Sequence, residues 1–191
     1  MATSSSSTAA SPPPFEGARI IVVMGVSSSG KTTVGKLIAQ RLHAPFLEGD
    51  DYHSAANIKK MSAGIPLTDD DRWPWLRSMG KALHDAAGPK GVAVGACSAL
   101  KRSYRDCLTE AAGEPVVFVY LDGSYAEIDA RMKARTGHFM PESLLRSQFA
   151  TLEPPAADEN AISVPIAGTS EQATDAALKQ LNYLKSFKRG Q

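Results

Sequence analysis

The run Gly25-Val26-Ser27-Ser28-Ser29-Gly30-Lys31-Thr32 constrains this chain more than any other. It matches G-x-x-x-x-G-K-[ST], follows the apolar stretch Ile20-Ile21-Val22-Val23-Met24, and opens a helix-patterned segment. That flanking predicts a strand ending where the loop begins and a helix N-terminus aimed at phosphates. Glycines let several backbone N–H groups converge on one anion. The helix terminus adds partial positive charge. In that arrangement Lys31 reaches the outer phosphates and Thr32 Oγ ligates Mg²⁺. The expected nucleotide contacts are Gly25, Val26, Ser27, Ser28, Ser29, Gly30, Lys31, Thr32 and Thr33. The chain is therefore expected to bind a nucleoside triphosphate.

With 191 residues, 43% of them hydrophobic, the chain suits one domain with a buried core. A net charge of +1 with mixed signs argues against a large nucleic-acid footprint. No apolar run approaches a membrane span. Cys97 and Cys107 are the two cysteines, too few for a disulfide framework, and a reducing, cytoplasmic setting fits. Residues 1–14 hold only Met, Ala, Thr, Ser and Pro. Such a segment buries too little apolar surface to offset its ordering entropy. Residues 1–16 are therefore read as a disordered extension and 17–191 as the folded domain. A targeting role for the extension is the alternative, weakened by the absence of Arg before Arg19.

Apolar runs then alternate with helical patterns. Strands are expected over 19–24, 45–48, 92–96, 116–121 and 162–166. Helices are expected over 31–42, 54–62, 75–87, 100–112, 124–136 and 141–152, and from Thr169 to about 187. An acidic loop is read over 64–71. Ser124 with Glu127, and Thr169 with Gln172, have the spacing of capping boxes. This alternation predicts an α/β three-layer sandwich around a five-stranded parallel sheet, with a mobile lid over about 131–150. Ligands of such sheets bind beyond the C-terminal strand ends. That rule selects Asp50 and Asp51, Cys97 to Lys101, Asp122, and Ala167-Gly168.

Phosphoryl transfer needs alignment and cations more than covalent help. Asp50 is placed to orient and deprotonate an acceptor hydroxyl, or to hold Mg²⁺ through water, and His53 to hydrogen-bond the acceptor. As an alternative, Asp50 only caps a helix. In Thr68-Asp69-Asp70-Asp71-Arg72-Trp73-Pro74-Trp75, Asp70 or Asp71 is read as a helix cap, with Pro74 in the first turn. Arg72 offers a planar bidentate cation to an anionic acceptor. Lys101 and Arg105 are read as sharing a helix face, against the plainer reading of a solvated basic surface. Arg131 and Arg135 stand before Gly137-His138-Phe139, which suits a closing lid.

The segments MGVSSSGKTT, FLEGDDYH, NIKKMSAGIPLTDDDRWPWL, CSALKRSYRD, VYLDG, RMKARTGHFM and QFATLEPP, in this order, resemble gluconokinases of the small phosphate-loop type, akin to shikimate kinases. The resemblance spans about residues 19–188. It implies an ATP- and Mg²⁺-dependent enzyme that phosphorylates the 6-hydroxyl of D-gluconate and assembles as a homodimer. It implies Lys31, Asp50 and Arg135 as catalytic residues, and ATP on residues 25–33 with Arg131. Asp50, His53, Arg72, Lys101, Arg105 and His138 would bind substrate, and Thr32 and Glu48 would support the metal. Ser28 stands where the family often has Gly, and Glu48 where Asp is common. Competing readings are the same chemistry on another small acid or a nucleotide, and a slow nucleotide-hydrolysing switch.

Overall fold

A computed structural model describes residues 18–89, 91–134 and 142–181. The five strands are β1 (Ile20–Met24), β2 (Phe46–Glu48), β3 (Ala93–Ala96), β4 (Val116–Asp122) and β5 (Ala161–Pro165). The helices are α1 (Lys31–Leu42), α2 (Ala55–Ser62), α3 (Asp69–Ala87), α4 (Arg102–Ala112), α5 (Tyr125–Ala134), α6 (Glu142–Thr151) and α7 (Ser170–Gln180). A 3₁₀ turn over Gly49–Tyr52 follows β2. All strand pairs are parallel, in the order β2-β3-β1-β4-β5. The expected five-stranded parallel sheet is present, with each strand end within about one residue of its expected position.

β1 lies at the centre and all five of its residues are buried. Its pleat splits the core in two. Ile21 and Val23 pack with Val34 and Ile38 of α1 and with Ala173 and Ala177 of α7. Ile20, Val22 and Met24 pack with Leu76, Met79 and Leu83 of α3 and with Tyr104 and Leu108 of α4. Two covered faces explain why these strands read as continuous apolar runs rather than as alternating ones.

The two expected capping boxes form. Thr169 accepts from the Gln172 N–H, and Glu127 Oε2 accepts from the Ser124 N–H at 2.8 Å. A third was not expected. Thr68, rather than Asp70 or Asp71, caps α3, with Asp71 reaching back from the third helical position. The helix thus begins at Asp69, not 75, and absorbs part of the expected acidic loop. Pro74 lies inside it, beyond the first turn. Its missing N–H leaves the carbonyl of Asp70 unserved, but Asp70 is exposed and water can serve it. α4 also starts later than expected, at Arg102, with Lys101 as its extended cap residue. The extension 1–16, Arg135, His138 and the centre of the expected lid lie outside the described residues. No described helix is long and apolar enough to cross a membrane.

Candidate active site

The loop between β1 and α1 takes a shape its sequence explains. Gly25 has φ +141°, and a Cβ there would sit 3.1 Å from Ser29 Oγ and 3.2 Å from the Leu121 carbonyl. Gly30, at φ +99°, forms the left-handed cap of α1. Ser28 is also left-handed, at φ 62°, a conformation that favours glycine. Lys31 Nζ donates to the Val26 carbonyl at 2.8 Å, folded across its own loop. Ser28, Gly30, Lys31, Thr32 and Thr33 line a cleft of about 240 Å³ with Arg131. Arg131 donates to the carbonyls of Ile166 and of Gly168, the latter at 3.3 Å. This joins α5 to the loop after β5.

A larger crevice of about 760 Å³ adjoins it, with Ser27, Lys31 and Thr32 on one side and Glu48, Asp50, His53 and Arg72 on the other. The end of β2 is pressed against β3. A Cβ on Gly49 would come within 2.4 Å of the Ala96 carbonyl, so only glycine fits. The following 3₁₀ turn projects Asp50 into solvent, its side chain 84% exposed. The His53 side chain is 3% exposed and stacks on Trp75 at 4.0 Å. Trp75 in turn donates to the Gly49 carbonyl at 2.6 Å. Burial lowers the His53 pKa, opposed by Asp50 and aided by Arg72. The ring is therefore neutral at pH 7. Cys97, at the crevice floor, has its thiol pushed up to about 12 by burial and is inert.

The three expected substrate cations part company. Arg72 lines the crevice, donates to the Leu67 carbonyl at 3.1 Å, and lies 5.5 Å from the Tyr104 ring centre. Lys101 pairs with Asp69 at 2.8 Å, and Tyr104 Oη donates to the same carboxylate. That cluster ties the start of α3 to the start of α4. Arg105 is 1% exposed and turned into the protein. Its Nε and Nη2 donate to Glu159 at 2.5 and 2.8 Å, and its Nη1 to the carbonyls of Ala99, Leu100 and Glu153. All three of its side-chain nitrogens are engaged, and Arg105 does not line the crevice. It holds the loop after β3 instead, where Ala99 is left-handed at φ 41° and Ser98 accepts from the Gly25 N–H.

Two contributors were not singled out in the sequence. Gln148 of α6 accepts from the Ser27 N–H at 2.6 Å and donates to Ser27 Oγ at 2.9 Å. Asn57 of α2 contacts His53 and the Asp71 carbonyl. Neither carries charge or a periodic pattern, so no local signal marks them. For the metal, the described residues contain no cluster of three or more His, Cys, Asp or Glu side chains. Thr32 and Glu48 nevertheless share the crevice. A sparse oxygen set suits Mg²⁺, which keeps its waters and relies on substrate phosphates.

The shikimate kinase family model matches residues 27–182. The thermosensitive gluconokinase of Escherichia coli is 48% identical over 82% of this chain and 86% of its own. A probable gluconokinase of Mus musculus is 43% identical over 87% of this chain and 100% of its own. The crystal structure of a gluconokinase from Sinorhizobium meliloti superposes with a TM-score of 0.80 at 47% identity, covering 93% of this chain and 99% of that one. With these likenesses running almost end to end, the chain belongs to the gluconokinase family, within the shikimate kinase group of phosphate-loop enzymes.

Proposed function

We propose that this chain transfers the γ-phosphoryl group of ATP to the 6-hydroxyl of D-gluconate, giving 6-phospho-D-gluconate and ADP. The observation that carries the reading is the shared crevice, which sets Lys31 and Thr32 of the phosphate loop opposite Asp50, His53 and Arg72. Asp50 takes the proton of the acceptor hydroxyl as its oxygen bonds to phosphorus and the bond to ADP breaks. Lys31 swings from the Val26 carbonyl to the outer phosphates, and Arg135 is assigned to stabilise the same phosphoryl group. Arg131 borders the nucleotide side. Arg72 pairs with the gluconate carboxylate. Thr32 Oγ and Glu48 would hold Mg²⁺, which would neutralise charge on the ATP phosphates. A homodimer in the cytoplasm completes the reading, and sedimentation equilibrium tests the dimer.

ADP release measured with ATP, Mg²⁺ and a panel of gluconate, shikimate, glycerate and AMP tests the proposal. Turnover on gluconate alone is expected. Turnover on another acceptor keeps the phosphotransfer and overturns the substrate. Slow ADP release independent of any acceptor overturns both.

A further inference from the structure

Asn57 is a buried amide, 4% exposed, in the first turn of α2. Its backbone is held by the Ser54 cap, whose Oγ accepts from the Asn57 N–H at 3.1 Å. Its Nδ2 lies 2.8 Å from the Asp71 carbonyl oxygen and 3.4 Å from His53 Nδ1. A carbonyl only accepts, so the amide nitrogen, not the amide oxygen, must face Asp71. The same nitrogen then faces His53 with its second hydrogen and has no lone pair to offer. His53 Nδ1 must therefore be the accepting nitrogen. A neutral imidazole with an accepting Nδ1 carries its proton on Nε2. His53 lines the crevice, and its Nε2 lies 3.9 Å from Asp50 Oδ1. The gap is too long for a direct hydrogen bond, but one hydroxyl oxygen fits within about 2.8 Å of both groups.

We propose that Asn57 is a positioning residue that holds His53 as the Nε2–H tautomer, so that His53 meets the acceptor as a fixed hydrogen-bond donor. The acceptor hydroxyl takes the Nε2–H on one lone pair and turns its own proton to Asp50. Its other lone pair stays directed at the γ-phosphorus. In this arrangement His53 cannot serve as the base, and Asp50 alone receives the proton. The tautomer stands on the contacts of the chain itself; only its use against a sugar-acid hydroxyl rests on the proposed function.

Long-range ¹H–¹⁵N correlation on the ¹⁵N-labelled full chain, without substrate, reads the tautomer directly. His53→Gln identifies the signal. The expected pattern is a protonated Nε2 and a bare Nδ1. A protonated Nδ1 in the parent protein overturns the proposal, whatever any variant does. In Asn57→Asp the neighbour becomes a pure acceptor, so Nδ1 should gain a proton. The value of kcat/KM for gluconate should fall about tenfold or more, with KM for ATP within about twofold of the parent. An unchanged tautomer in a folded Asn57→Asp protein would also overturn it. A parent with the expected tautomer that fails to phosphorylate gluconate would contradict the proposed function and leave the positioning role of Asn57 supported.

Discussion

At the scale of single residues, the site divides into groups that face the crevice and groups that hold its walls. Lys31 and Asp50 belong to the first kind. Lys31→Ala should lower kcat at least about 10²-fold through lost stabilisation of the transferring phosphoryl. A variant within about tenfold of the parent would remove Lys31 from the mechanism. Asp50→Asn should lower kcat by about 10²-fold or more with little change in KM for ATP; an unchanged kcat would leave Asp50 as a surface residue. Arg105 belongs to the second kind. Its partner Glu159 is 8% exposed, so Arg105→Met strands a buried carboxylate and three carbonyls. The expected loss is about 3–5 kcal/mol of stability, read by denaturant titration. A stable Arg105→Met protein with only a raised KM for gluconate would return Arg105 to the substrate. Sequence spacing could not reveal this role. Lys101 is an extended cap residue rather than a helical one, so the assumed shared face does not exist. The partner Glu159 lies 54 positions away.

Among the elements, α1, β1 and the loop between them were legible because their signals are local: an apolar run, two glycines at fixed offsets, and a 3.6-residue period. The start of α3 was not. Pro74 normally marks a first turn, and Thr68-x-x-Asp71 caps with Asp where Glu or Gln is the usual partner. The tie between α6 and the phosphate loop was also hidden, because Gln148 meets Ser27 across 121 positions. Gln148 fixes a loop N–H, and removing it should loosen that amide. In Gln148→Leu, deuterium exchange at the Ser27 amide should accelerate about tenfold, the worth of roughly one hydrogen bond. Equal exchange in parent and variant would mean that α6 does not steady the loop.

For the whole molecule, acid stability follows from its paired carboxylates. The Lys60 ammonium and the Thr68 cap hold the Asp71 pKa at about 2, below the ordinary 3.8. Lys101 lowers Asp69, and Arg105 lowers Glu159. Groups depressed in the folded state contribute stability that is complete above their unfolded pKa and lost as pH falls through the folded value. For Asp71 that window runs from about pH 4 down to about pH 2. The melting temperature of the parent should therefore drop over this range. Asp71→Asn should melt lower at pH 7 and lose less on acidification. Parallel curves for the two proteins would show that the Lys60 pair adds nothing. The parallel five-stranded sheet was legible from alternation alone, whereas its strand order and the side-chain ties between distant segments needed three dimensions.

The central claim is regiospecific transfer between the two sides of one crevice. Its most direct test is the product formed from ATP, Mg²⁺ and uniformly ¹³C-labelled gluconate, followed by ³¹P and ¹³C NMR. Phosphorus coupled to C6 with stoichiometric ADP is the predicted result. Phosphorus on another carbon, or inorganic phosphate alone, would contradict the account.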